Sequence, residues 1–180
     1  LADYLLASTS ITAIAIDGGN RKWIGTPDGG LFLIGSDNIT QLSNLTTANS
    51  KLLSNNILSL AIDNSTGILY IGTDKGLCSY ATEATLPSEE MTSDNVYAYP
   101  NPVSPDFTGE IVIVGLSNDA DVKILSSNGT LIAEGRSTGG SFLWNGKDKN
   151  GNRVASGVYM VAAATAEGKK GTVCKIAVVR

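Results

Sequence analysis

Histidine is absent from the 180 residues, which removes the commonest general base near neutral pH and the commonest metal ligand. The abundant serines and threonines then have no familiar base to activate them, so no nucleophile–base pair can be assembled from the sequence. Charge is scarce as well. Only 17% of residues are charged, with 13 Lys and Arg scattered against 17 Asp and Glu for a net charge of −4, and this argues against nucleic acid as a partner. No run approaches the ~20 apolar residues of a membrane-spanning helix, and no secretory signal precedes the fold. Cysteine is limited to Cys78 and Cys174. Each lies inside an apolar strand pattern and reads as a buried free thiol, while a disulfide between the halves stays open because spacing does not supply geometry.

What the chain has is glycine, 20 residues of it, and short apolar runs punctuated by turn residues, the composition of compact β structure. The first half repeats itself. Ile11, Ile14, Ile16 and Asp17 are followed by Trp23, Ile24, Gly25, Thr26 and then Leu31; Ile57, Leu60, Ile62 and Asp63 are followed by Tyr70, Ile71, Gly72, Thr73 and then Leu77. The offset is 46 residues between the aspartates and 47 between the Gly-Thr pairs. Self-similarity at that period is a sign of propeller blades, about four strands each. Gly25 and Gly72 would let backbones approach closely, and Trp23 and Tyr70 would fill the space between blades. The two copies resemble the two-component regulator propeller family, with Tyr70 in place of the usual tryptophan. Closure needs at least about four blades, so residues 1–85 read as the C-terminal blades of a truncated propeller, and the start at Leu1 reads as internal to a larger precursor. Uncovered interblade surface predicts self-association.

Periodicity lapses over residues 86–95, which read as a linker. Beyond it, strands are predicted at 111–114, 121–125, 131–133, 141–144, 157–162 and 172–179, with tight turns at Asn128-Gly129 and Asn150-Gly151. By the two-residue period Cys174, Ile176 and Val178 share one face of the last strand, which should be core. The ordered set of Pro100-Asn101-Pro102, Trp144-Asn145-Gly146, Gly157-Val158-Tyr159 and the terminal Lys175 to Arg180 resembles the C-terminal sorting domains of the Por (type IX) secretion system of Bacteroidetes. Those are Ig-like folds related to a domain of the flagellar hook-capping protein. The resemblance covers about residues 96–180 and implies an Ig-like β-sandwich. The fold class expected for the whole is therefore all-β, a partial β-propeller of about two blades followed by that sandwich.

Other candidate sites have plainer readings. Asp148 to Asn152 superficially suggests a calcium loop but lacks its far bidentate carboxylate and reads as a hairpin. Asp17 and Asp63 occupy equal positions in successive repeats, too far apart to share one bond, and read as turn caps. Glu89 and Glu90 read as solvated linker. The Asn-x-Thr sequons at Asn38, Asn44, Asn64 and Asn128 read as products of an Asn- and Thr-rich composition.

The resemblances imply a non-enzymatic protein without cofactor or metal, exported to the periplasm, the outer-membrane surface or the medium. They imply secretion-system or outer-membrane proteins, or a surface polysaccharide, as partners. One version is a component of the secretion machinery itself that joins such blades to a sorting-type domain. The terminal strand at Lys175 to Arg180 would be bound there by strand addition. The alternatives are a ligand-sensing propeller of a two-component regulator and the accessory C-terminal part of a secreted polysaccharide-active enzyme.

Overall fold

A computed structural model describes residues 5–166, 168 and 170–180, the side chains of 170–173 excepted. The chain divides into two compact units, Leu1–Thr82 and Glu83–Arg180, each built only of strands and turns among the described residues.

In unit 1, β1 (Ala13–Ile16), β2 (Lys22–Gly25), β3 (Leu31–Ile34) and β4 (Gln41–Leu45) form an antiparallel meander. The strands β5 (Ile57–Asp63), β6 (Ile68–Thr73) and β7 (Gly76–Ala81) form a second one. The first repeat thus has four strands and the second three among the described residues. Alternation decides which side chains meet. Ala15, Trp23, Leu31 and Leu33 from one sheet join Ile57, Leu69 and Ile71 from the other in a single core. Backbone bonds tie the sheets across this core, Ile57 N donating to Thr26 O at 2.9 Å and Gly30 N to Asn55 O at 3.1 Å. Gly25 is needed for the approach, because a Cβ there would lie 2.6 Å from the Ile57 side chain. At Gly72 the neighbour is the Ser59 side chain in its own sheet.

Unit 2 contains β8 (Tyr97–Tyr99), β9 (Ile111–Val114), β10 (Asp121–Ser126), β11 (Leu131–Arg136), β12 (Ser141–Trp144), β13 (Gly157–Ala164) and β14 (Lys170–Val178). They pair as two sheets, β12-β9-β8 and β11-β10-β13-β14. Ile111, Ile113 and Trp144 of the first sheet and Val122, Ile124, Val161 and Ile176 of the second share one core. Met91 and Val96, which precede β8, pack into the same core. Asn128-Gly129 makes the turn between β10 and β11, with Gly129 at φ +84 and Gly129 N donating to Ser126 O.

The propeller expectation is not met. All four sheets are open: in none does the last strand return to pair with the first, so the described residues form no ring, barrel or central channel. A partial β-propeller followed by an Ig-like sandwich is corrected to an all-β chain of four open sheets. Strand period and turn residues are local signals that specify a meander. Closure about an axis depends on contacts that no local pattern encodes. Tyr70 is corrected with it, being 42% exposed where Trp23 is 2% exposed. Both cysteines are free thiols and half-buried rather than fully buried, and burial pushes the Cys174 thiol up.

Candidate functional site

The terminal strand and the segment that grips it are the best-defined arrangement in unit 2. On its inner side β14 pairs with β13, Tyr159 opposite Ile176 and Gly157 opposite Val178. Ile176 and Val178 are buried in the core and Cys174 packs against it. Lys175, Val179 and Arg180 are exposed.

From Lys175 O to Val179 N the outer edge of β14 is occupied, so strand addition, the expectation for Lys175 to Arg180, meets a closed edge there. Asn101 donates its side-chain N–H to Lys175 O at 2.8 Å and accepts from Ala177 N at 2.9 Å. Val103 N then donates to Ala177 O at 2.8 Å, and Val179 N donates to Val103 O at 2.9 Å. Every outward-pointing backbone group from Lys175 O to Val179 N is taken, so no further chain can pair there without displacing this clasp. The chemistry of the motif accounts for the arrangement. Pro100 and Pro102 have no N–H, so they cannot donate into a ladder, and the carboxamide of Asn101 supplies the missing donor and acceptor.

The chain end is held as well. Arg180 N donates to Ser156 Oγ at 2.9 Å, and its guanidinium Nε donates to Val154 O at 3.5 Å. Tyr159 donates its hydroxyl to Ala155 O at 2.9 Å. Its ring lies 5.6 Å from that of Trp144, whose indole N–H donates to Lys147 O at 2.9 Å. The motifs spread across the second half of the sequence thus converge on one corner of unit 2.

Two exposed tyrosines beside the clasp were given no role from the sequence. Tyr97 and Tyr99 lie on the outer face of β8 with ring centroids 6.3 Å apart. Burial, with the neighbouring Tyr97 second, pushes the Tyr99 phenol up. The signal was the Tyr-Ala-Tyr alternation itself, only three residues long.

The repeat residues of unit 1 are structural. Asp17 accepts from Gly19 N and Arg21 N through Oδ1, and from Arg21 Nε (2.8 Å) and Trp23 Nε1 (3.0 Å) through Oδ2. Its counterpart Asp63 accepts from Ser65 N, Ser65 Oγ and Thr66 Oγ1. The Ser65 and Thr66 hydroxyls hold that carboxyl below its ordinary range. Thr26 and Thr73 each donate a hydroxyl hydrogen to the carbonyl of a following glycine, Gly30 and Gly76, at 2.8 Å.

Asp148 turns its carboxylate onto its own loop, accepting from Asn150 N and Asn152 N at 2.9 Å. An open cleft of unit 2 gathers Glu83, Glu110, Glu134 and Arg136, with Glu134 also 3.5 Å from Lys149. No group of three or more His, Cys, Asp or Glu among the described residues could hold a metal ion.

An all-β chain with two separate cores and a clasped terminal strand is what the geometry defines. No family model and no curated protein matches the sequence. Among solved structures the chain is similar to PorZ, an essential bacterial surface component of the type-IX secretion system of the human oral-microbiome bacterium Porphyromonas gingivalis. The identity is 40% and the TM-score 0.62, over 99% of this chain. The chain spans 24% of PorZ, about a quarter of its length. A second match, to the extracellular domain of BT4673 of B. thetaiotaomicron, described as a one component system, has 14% identity and a TM-score of 0.34, covering 99% of this chain and 26% of that one. It carries no argument. No helix among the described residues is long and apolar enough to cross a membrane.

Proposed function

We propose that this chain is part of a non-enzymatic, exported surface protein of a Bacteroidetes-type bacterium. In this reading residues 96–180 serve type IX secretion or surface attachment, and the repeats of residues 1–85 bind a protein or a surface polysaccharide. The observation that carries it is the 40% identity to PorZ over 99% of the chain. The lack of histidine and the inward-turned carboxylates of Asp17 and Asp148 favour a binding role over a catalytic one.

The clasp refines how the terminal strand would be recognised. With its outer edge occupied by Asn101 and Val103, the strand offers a partner its exposed side chains, Lys175, Val179 and Arg180, rather than a free ladder. Deleting residues 175–180 in the host is expected to block surface delivery while unit 1 stays folded. Because that deletion removes the core residues Ile176 and Val178, the sharper variant is Lys175→Glu with Arg180→Glu, expected to reduce delivery with unit 2 still folded by circular dichroism. Undiminished delivery of both variants would overturn the reading. The intact mass of the surface protein against its gene product separates the two versions. Loss of the residues beyond about 90 marks a disposable export signal on cargo, and retention marks a permanent module of the machinery.

A further inference from the structure

Three Asn-Gly pairs occur in the chain, Asn128-Gly129, Asn145-Gly146 and Asn150-Gly151. In such a pair the glycine main-chain nitrogen can attack the asparagine Cγ, because the second residue has no Cβ to hinder the approach. Two features of the fold govern that attack. A glycine N–H already held by an acceptor must first break its bond, and a donor on the asparagine Oδ1 stabilises the negative charge that builds there as the new bond forms.

At two of the pairs the nitrogen is held. Gly129 N donates to Ser126 O at 2.9 Å and Gly151 N donates to Asp148 O at 3.0 Å, each closing its own turn. Asn128 Oδ1 does have donors, Thr130 N at 3.3 Å and Thr130 Oγ1 at 3.0 Å, but the nitrogen beside it is committed. At Asn145 both features favour attack. Gly146 takes part in the main-chain ladder through its carbonyl alone, which accepts from Val154 N at 3.0 Å, and its own N–H donates to no described residue. Lys147 N donates to Asn145 Oδ1 at 3.0 Å, closing a ring that contains the Gly146 nitrogen. Asn145 is exposed, so solvent reaches its carboxamide, while Gly146 itself is buried.

We infer that Asn145 is a site of spontaneous chemical modification, because the fold leaves this Asn-Gly pair free to cyclise and restrains the other two. Gly146 N gives up its proton to solvent hydroxide and bonds to Asn145 Cγ, and the bond from Cγ to Nδ2 breaks with loss of ammonia. Water then opens the resulting succinimide at either carbonyl, leaving aspartate or isoaspartate. The isoaspartate product inserts one main-chain carbon between Trp144, buried in the core, and Gly146. Either product adds a negative charge beside the residue whose backbone lies against Arg180, a Cβ on Gly146 falling 3.3 Å from Arg180 Nη2. Ageing at Asn145 therefore alters the corner that holds the chain end.

The folded chain, incubated in mildly alkaline buffer and sampled by peptide mapping with mass spectrometry, should convert Asn145 about fivefold or more faster than Asn128 and Asn150, the effect of one ordinary turn hydrogen bond that need not be broken. Chromatography separates the aspartate and isoaspartate peptides. The same incubation in denaturant should bring the three rates together, since all three share the Asn-Gly pair once the turns are gone. Conversion of Asn128 or Asn150 in the folded chain at the rate of Asn145 or faster, or an Asn145 that stays intact, would overturn the inference. So would the same preference for Asn145 in denaturant, which would assign it to neighbouring sequence and not to the fold.

Discussion

At the scale of single residues, the same letter does different work in the two repeats. Asp17 is enclosed with Arg21, their side chains 0% and 10% exposed, and collects backbone, guanidinium and indole donors. Arg21 Nη2 is buried without a partner. Asp63 only caps an open turn. The chain around each decides this: Arg21 and Trp23 stand where the second repeat has Gly67 or its neighbours and Tyr70. Asp37, in the turn before β4, behaves like Asp63. It accepts from the Thr40 hydroxyl and from the Thr40 and Ile39 amides. These bonds, the hydroxyl first, lower its pKa from 3.8 to about 2. A depressed carboxylate stabilises its turn fully above the unfolded value and loses that contribution as pH falls through the folded one. The turn should therefore hold above pH 3.8 and weaken as pH falls to about 2. Carboxyl NMR titration of Asp37 should give a midpoint near 2; one at the ordinary value would mean that the Thr40 bonds are absent.

At the scale of elements, most strands were legible because their signals are local. β9, β12 and β13 are short apolar runs bounded by turn residues, and the Asn128-Gly129 turn announces the hairpin between β10 and β11. β4 and β8 were missed. Gln41-Leu-Ser-Asn-Leu45 has no clean alternation, and β8 is three residues long, so each exists only because a neighbouring strand offers a ladder to join. The segment 86–95 read as a linker from its polarity, yet Met91 is 8% exposed: a single apolar residue gives no period but can fill a core. The clasp was equally invisible, since Asn101 and Ala177 are 76 residues apart. Its two side-chain bonds predict that Asn101→Ala will lower the stability of unit 2 by about 1 kcal/mol, the net value of such bonds where water can partly replace them. The Ala177 amide should exchange faster in the variant. Exchange at the parent rate would show that the carboxamide does not hold the strand.

At the scale of the whole molecule there are two cores with no residue in common, one around Trp23 and one around Trp144. Damage to one should leave the other intact. Asp17→Ala strands the Arg21 charge in a buried setting, a change that costs about 3–5 kcal/mol when one partner of a buried pair is removed. Hydrogen exchange should then lose protection at the Leu31 and Ile71 amides and retain it at Ile113 and Ile124. Simultaneous loss in both units would mean that the chain unfolds as one cooperative body.

The sequence by itself determined that the chain is built of strands, where most of them lie, that it repeats in its first half, and that it lacks the side chains of common catalysis. Those properties rest on composition, the two-residue period and turn chemistry, all of which act over a few residues. Only the tertiary structure decided that the sheets stay open, that Trp23 is buried while Tyr70 is exposed, and that Asn101 closes the edge of the terminal strand. Each of these depends on which distant segments come into contact. Such pairing is selected by burial and hydrogen bonding summed over the whole unit, and no single stretch of the chain carries that sum.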